Sequence, residues 1–227
     1  MRRASASGLD GDGPVPEQGV RYRLTGGALA ATGALFGAVL VLSDVSDPAH
    51  EAWRDPLSFF GSPEAPRPQL FNVVLAALGV AVVFWAAVRA GTGPRPALAL
   101  VAAAGAAMML LALWPIDCSP IDVFCEVVIR GRAVSDAHVA HSVVALVFFV
   151  LLGAITVSSC WPLVRSGDRR RLAGAVLVVG SLACALVIVR PFSPGAGLTQ
   201  LVALSCAVGG LALGLSTART TGTPTGP

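Results

Sequence analysis

Residues Arg132 to Ile155 read RAVSDAHVAHSVVALVFFVLLGAI, and the apolar run that begins here continues to Cys160. A membrane-barrel strand would alternate apolar and polar residues at every second position. The run from Val139 to Cys160 does not; past its first residues it is apolar all round. A hydrocarbon core of about 30 Å needs roughly 20 such residues in a helix, so the segment reads as a membrane-spanning helix. Its head is different in kind. Asp136, His138 and His141 stand at the entry, with the two histidines three residues apart and so on one helical face. Asp136 reads as a helix N-cap, whose carboxylate satisfies free backbone amides.

Working outward, five more runs have the same character: Leu24 to Ser43, Leu70 to Ala90, Ala97 to Trp114, Leu172 to Val189 and Leu198 to Ser216. The breaks RAGTGPRP, WPLVRSGDRRR and RPFSPGAG combine Pro, Gly and Arg, as turns between hairpin-connected helices do. The expected fold is therefore all-α, an integral membrane bundle of six transmembrane helices over residues 24–216. Long loops are expected at 44–69 and 115–137, with polar, Pro- and Gly-rich disordered segments at 1–23 and 217–227. Whole-chain composition agrees: 55% hydrophobic, 13% charged and a mean hydropathy of +0.74 depart from soluble proteins, where about a quarter of residues are charged. The basic residues are all arginine and the apolar ones mostly Ala, Val, Leu and Gly, a bias expected of a GC-rich bacterial genome. They form no basic stripe with interleaved aromatics, so nucleic acid is not an expected partner. The first run is too long, and too far from the N-terminus, for a cleaved signal.

Arginine placement predicts the orientation. With the N-terminus inside, eleven of sixteen arginines fall on the cytoplasmic face, and nine of thirteen acidic residues fall on the other. The positive-inside rule then puts both termini in the cytoplasm of a multi-pass cell-membrane protein, an inner-membrane one in a bacterium. Both long loops become external, as do all three histidines, His50, His138 and His141. Cys118 and Cys125 also face the oxidising side, where a disulfide between them persists. Cys160, Cys184 and Cys206 lie in or beside apolar runs and read as small hydrophobes.

Function is expected at this outer face, because rigid helices present working residues on the loops and ends they support. LWPID closes the third span and delivers Trp114 and Asp117; LSDVSD closes the first and delivers Asp44; IVRPFSP closes the fifth and delivers Arg190. Phe59 and Phe60, between Pro and Gly breaks, read as a lid dipping into the interface. Trp53, Trp85, Trp114 and Trp161 suit interfacial belts. GALAATGALFGA and AAAGAA supply small residues for close helix packing.

The loop leading into LFNVVLAALG, the WPID end of the third span and the SDAHVAHS start of the fourth resemble the bacterial membrane-protein family catalogued as domain of unknown function 998. The resemblance extends over about Leu24 to Ser216, and Trp114, Pro115, Asp117 and His138 carry its shared marks. It implies a six-helix membrane protein and no particular reaction. His141 and the Cys118/Cys125 loop lie outside the shared pattern.

The expected function is binding of, or action on, a lipid or other hydrophobic small molecule in a polar pocket at the outer face. In the enzymatic version Asp117 and His138 form an acid/base pair assisted by His141, Asp44 lines the pocket, and Arg190, Trp114 and Asp136 hold the substrate. No HExxH signature occurs; a divalent metal on His138, His141 and Asp117 is the open cofactor alternative. Two other readings stand beside it. One is a non-catalytic accessory or scaffold subunit of a membrane complex. The other is a membrane terpene cyclase started by a protonated carboxylate, for which an aromatic content of 6% offers few cation-stabilising rings. A transporter fits less well, since no span carries a charge at mid-depth.

Overall fold

The computed structural model describes residues 16–46, 54–91, 95–118, 134–164, 168–189 and 195–206. Its elements are α1 (Pro16–Ser46), a short 3-10 helix (Leu57–Gly61), α2 (Pro68–Val88), α3 (Arg95–Leu113), α4 (Asp136–Val164) and α5 (Asp168–Val189), followed by α6 (Ala196–Cys206). No strand occurs among the described residues. Four helices are long and apolar enough to cross a membrane, and the Gly174–Val189 and Ala196–Cys206 segments are shorter apolar helices.

The ends follow local chemistry. Pro68 opens α2, where a missing amide hydrogen costs no helical bond. α1 begins at Pro16 and not at Leu24. Helical hydrogen bonding needs no apolar side chain, so the apolar run marks the part suited to lipid and not the whole helix.

The bundle is apolar outside as well as inside. Val41, Val73, Phe84, Val143, Val150, Val157, Leu182 and Leu186 are all exposed. A soluble protein does not leave so much contiguous apolar surface to water, whereas lipid accepts it once backbone groups are satisfied within helices. Small polar side chains are satisfied in the same way: Thr32, Ser142 and Ser181 donate to the carbonyls of Ala28, His138 and Leu177, each one turn back. At the end of α2, the Arg89 guanidinium stacks 4.6 Å from the Trp85 ring centre, an arrangement suited to an interface.

α1 packs on α2, α2 on α3, α3 on α4 and α4 on α5. Where α2 meets α3, a Cβ on Gly79 would stand 2.6 Å from the Gly105 carbonyl oxygen, and one on Gly105 would stand 2.8 Å from that of Gly79. The small residues of AAAGAA thus allow the backbones to touch. Between α4 and α5 the Thr156 and Ser181 hydroxyls share a hydrogen bond of 2.7 Å.

Two apolar clusters fill the interior. One joins Ala104, Met108 and Leu111 of α3 to Phe148, Phe149 and Leu152 of α4, with Cys184 and Val187 of α5 and Ala203 of α6. The other joins Phe36, Val39 and Leu40 of α1 to Phe71 and Val74 of α2, and takes in Leu57, Phe59, Phe60 and Ala65 from the intervening loop. The lid expected at Phe59 and Phe60 is therefore a plug: both rings are fully buried, with Phe60 tilted against Phe71 at 6.2 Å between ring centres. Prolines and glycine fold the segment back on itself, and burying two rings in the bundle removes more apolar area from water than laying them on its rim. The plug is tied to α6 at two points. The Leu57 amide donates to Gln200 Oε1 at 2.8 Å, and the Gly195 amide donates to the Arg54 carbonyl at 3.2 Å.

Candidate functional site

Pro115 follows α3 closely, and a residue preceding proline is pushed out of the helical region, so the helix stops at Leu113. The short segment through Cys118 then crosses the head of α4. Ser135 caps that helix. Its hydroxyl accepts from the His138 amide at 3.2 Å while donating to Asp117 Oδ1 at 2.7 Å. The Ser135 amide donates to the other carboxylate oxygen, Oδ2, at 2.6 Å. The N-cap expected at Asp136 is thus one residue earlier, because a hydroxyl at Ser135 stands at the spacing that meets an amide three residues on. Asp136 is exposed at the first helical position, where its charge suits the helix dipole.

The histidines lie on the buried stripe that α4 continues through Ala145, Phe148, Phe149, Leu152 and Ile155. His138 is 7% exposed and His141 5%, so neither faces lipid. Their ring nitrogens are used in opposite senses. The Asp117 amide donates to His138 Nδ1 at 3.1 Å, so that nitrogen is bare and a neutral ring carries its proton on Nε2. His141 Nδ1 lies 2.6 Å from the Trp114 carbonyl oxygen. A carbonyl only accepts, so here the proton is on Nδ1. His138 Nδ1 is also 4.0 Å from Asp117 Oδ2, the outer limit of an ion pair. The amide bond is the governing contact, since a proton on that nitrogen would meet the amide hydrogen head-on.

Partial burial pushes the Asp117 carboxyl pKa up. The bonds from the Ser135 amide and hydroxyl, with the nearby His138, outweigh that effect and leave it below the ordinary carboxylate value. Asp117 therefore sits ionised at a helix N-terminus, where backbone amides and the dipole both favour an anion. Its side chain is 33% exposed.

The structure thus joins Asp117, His138, His141 and Trp114, with Trp114 taking part through its carbonyl. Asp44 is half-buried near the end of α1, next to the buried Ser43. Arg190 and Cys125 lie outside the described residues, as does His50. Cys118 is buried and disulfide-bonded. Cys184 and Cys206 are free thiols. Among the described residues no three His, Cys, Asp or Glu side chains converge as a metal site would require.

Most buried polar side chains gather at this end of the bundle: Ser43, Asp55, Ser62, His138, His141 and Gln200, against Thr156 elsewhere. Of these, His141 Nε2 and the Ser43 and Ser62 hydroxyls are buried with no hydrogen-bond partner. Ser135 and Gln200 are the residues that sequence reasoning missed. The Ser-x-x-His spacing before an apolar run was a usable signal for Ser135. Gln200 had none, as its partner Leu57 is 143 residues away.

A family model described as protein of unknown function (DUF998) matches residues 30–217. No curated protein and no solved structure matches the chain.

Proposed function

The chain belongs to the DUF998 family of proteins of unknown function, and on that premise we propose that its loop-bearing end binds a lipid or another hydrophobic small molecule. One observation carries the reading: the imidazole of His141 is buried at the head of a lipid-facing helix with its Nε2 unpaired. An unsatisfied buried acceptor costs about 1–3 kcal/mol, and polar groups at membrane depth mark binding or transport paths more often than packing. The neighbouring groups are already engaged. Asp117, Ser135 and His138 bond to one another, so they hold the end of α3 against the start of α4 and position His141.

Binding is favoured over proton transfer because Asp117, held below the ordinary carboxylate range with both oxygens bonded by Ser135, is a poor proton donor and a weak base. The same fact weighs against a cyclase, which starts from a protonated acid. The lipid setting is supported by the apolar outer faces of the helices, and a multi-pass arrangement with both termini cytoplasmic by the arginine distribution. Native mass spectrometry of protein released from its own membrane provides the test. The wild type is expected to retain an amphiphile that His141→Phe largely loses, phenylalanine keeping a planar ring while removing both ring nitrogens. Equal retention by both proteins would contradict the reading.

A further inference from the structure

Resting on that reading of the loop-bearing end, we infer that the ligand presents a hydrogen-bond donor, a hydroxyl being the simplest, on an apolar body, and that donor-free head groups are rejected. The inference follows from the direction of one bond. His141 Nδ1 gives its proton to the Trp114 carbonyl, so in the neutral ring Nε2 carries a lone pair and can only accept. A second proton on the ring would make a cation on the buried stripe of α4. The groups nearby are already committed: the Asp117 carboxylate takes two hydrogen bonds from Ser135, and His138 Nδ1 takes the Asp117 amide. The ring's hydrogen-bonding neighbours are the backbone carbonyls of Trp114 and Leu111, and no hydrogen bond joins it to Asp117 or His138, so a cation there would lack the counter-charge that buried charges require.

A neutral acceptor discriminates by a simple rule. A hydroxyl or N–H pairs with Nε2 and satisfies it. A phosphodiester or ester oxygen sets acceptor against acceptor, leaving Nε2 unpaired and adding repulsion, which is how buried polar groups reject analogues that lack the matching partner. The preceding turn supplies no substitute, since the carbonyls it brings to the ring, those of Trp114 and Leu111, are acceptors too and cannot pair with Nε2.

The test uses the full chain in phosphatidylcholine vesicles with two closely related probes, dioleoylglycerol and its O-methyl ether, in which a methyl group replaces the hydrogen that would be donated. The expected result has two parts. Retention by native mass spectrometry is roughly tenfold greater for dioleoylglycerol, the scale of one buried hydrogen bond, and that preference disappears in His141→Phe. In protein carrying 15N-labelled histidine, His141 Nε2 has no attached proton before the probe is added, and its resonance moves on addition of dioleoylglycerol and not of the ether. Retention of both probes equally, above the His141→Phe level, overturns the donor rule and leaves the lipid-site reading standing. Retention of neither above that level overturns both. A proton on Nε2 in the probe-free protein, or an ordered water on Nε2 that dioleoylglycerol does not displace, also overturns the inference. Should His141→Phe fail to fold, the two wild-type measurements decide alone.

Discussion

Ser135 bonds at once to the His138 amide, through its hydroxyl, and to both oxygens of Asp117, so its loss uncaps a helix and loosens a carboxylate together. Ser135→Ala is expected to lower stability in detergent by about 1–2 kcal/mol, read as a fall in Tm. Ser135→Asp, which keeps a cap acceptor but sets a second carboxylate beside Asp117, should do worse than Ser135→Thr. Acid should act on the same contact. The Asp117 pKa is lower in the folded chain than in the unfolded one, so its stabilising contribution is complete above the ordinary carboxylate value and drains away as pH falls through the lower, folded one. Tm should therefore drop on acidification below about pH 4, and the drop should be smaller in Asp117→Asn. An unchanged acid limb in that variant would remove Asp117 from the account. At this scale the sequence was partly legible. The proximity of Asp117 to His138 followed from WPID and SDAHVAHS lying at one depth, whereas the choice of Ser135 over Asp136 as cap depended on where the first helical turn closes, and both residue types cap well.

The elements were read with most success where hydrophobicity alone decides, since a run apolar all round and about 20 residues long has few other fates. The starts of α2, α3 and α4 each fall within a few residues of the expected span. The close approach of α2 and α3 was legible in kind from AAAGAA, although the partner Gly79 was not. Gly79→Leu or Gly105→Leu would drive a side chain into facing backbone and should cost about 1–3 kcal/mol, visible as poorer extraction as a monodisperse species, while Gly91→Leu, whose added Cβ meets nothing within 4 Å, should be neutral. The 54–67 loop was the least legible element. Pro and Gly spacing showed that it turns, but its burial depends on Phe36, Phe71 and Gln200 from three helices. Gln200→Leu leaves the buried Leu57 amide unpaired, a loss of about 1–3 kcal/mol. It should speed amide exchange across Leu57 to Ser62 more than along α3.

For the molecule as a whole, the helices present apolar flanks suited to lipid, and the buried polar side chains collect where the loops meet them. Their concentration at one end could be expected from the sequence, because Asp, His and Pro cluster between the same runs; which of them remained unpaired could not, because pairing is settled by long-range geometry. The orientation proposed from the arginine distribution is open to labelling. A cysteine introduced at the exposed Glu64 should react with an impermeant maleimide added outside intact cells, and one at Gly91, at the opposite end of α2, should not; the reverse pattern would invert the topology. The most direct test of the central claim uses a photoactivatable, diazirine-bearing diacylglycerol in vesicles, with the crosslinked peptides identified by mass spectrometry. The account predicts labelling concentrated in the end of α3 and the start of α4, around residues 111–118 and 135–145, competed away by unlabelled dioleoylglycerol and lost in His141→Phe. Labelling spread evenly over lipid-facing positions such as Val73, Val150 and Leu182, insensitive to competitor and to His141, would contradict it.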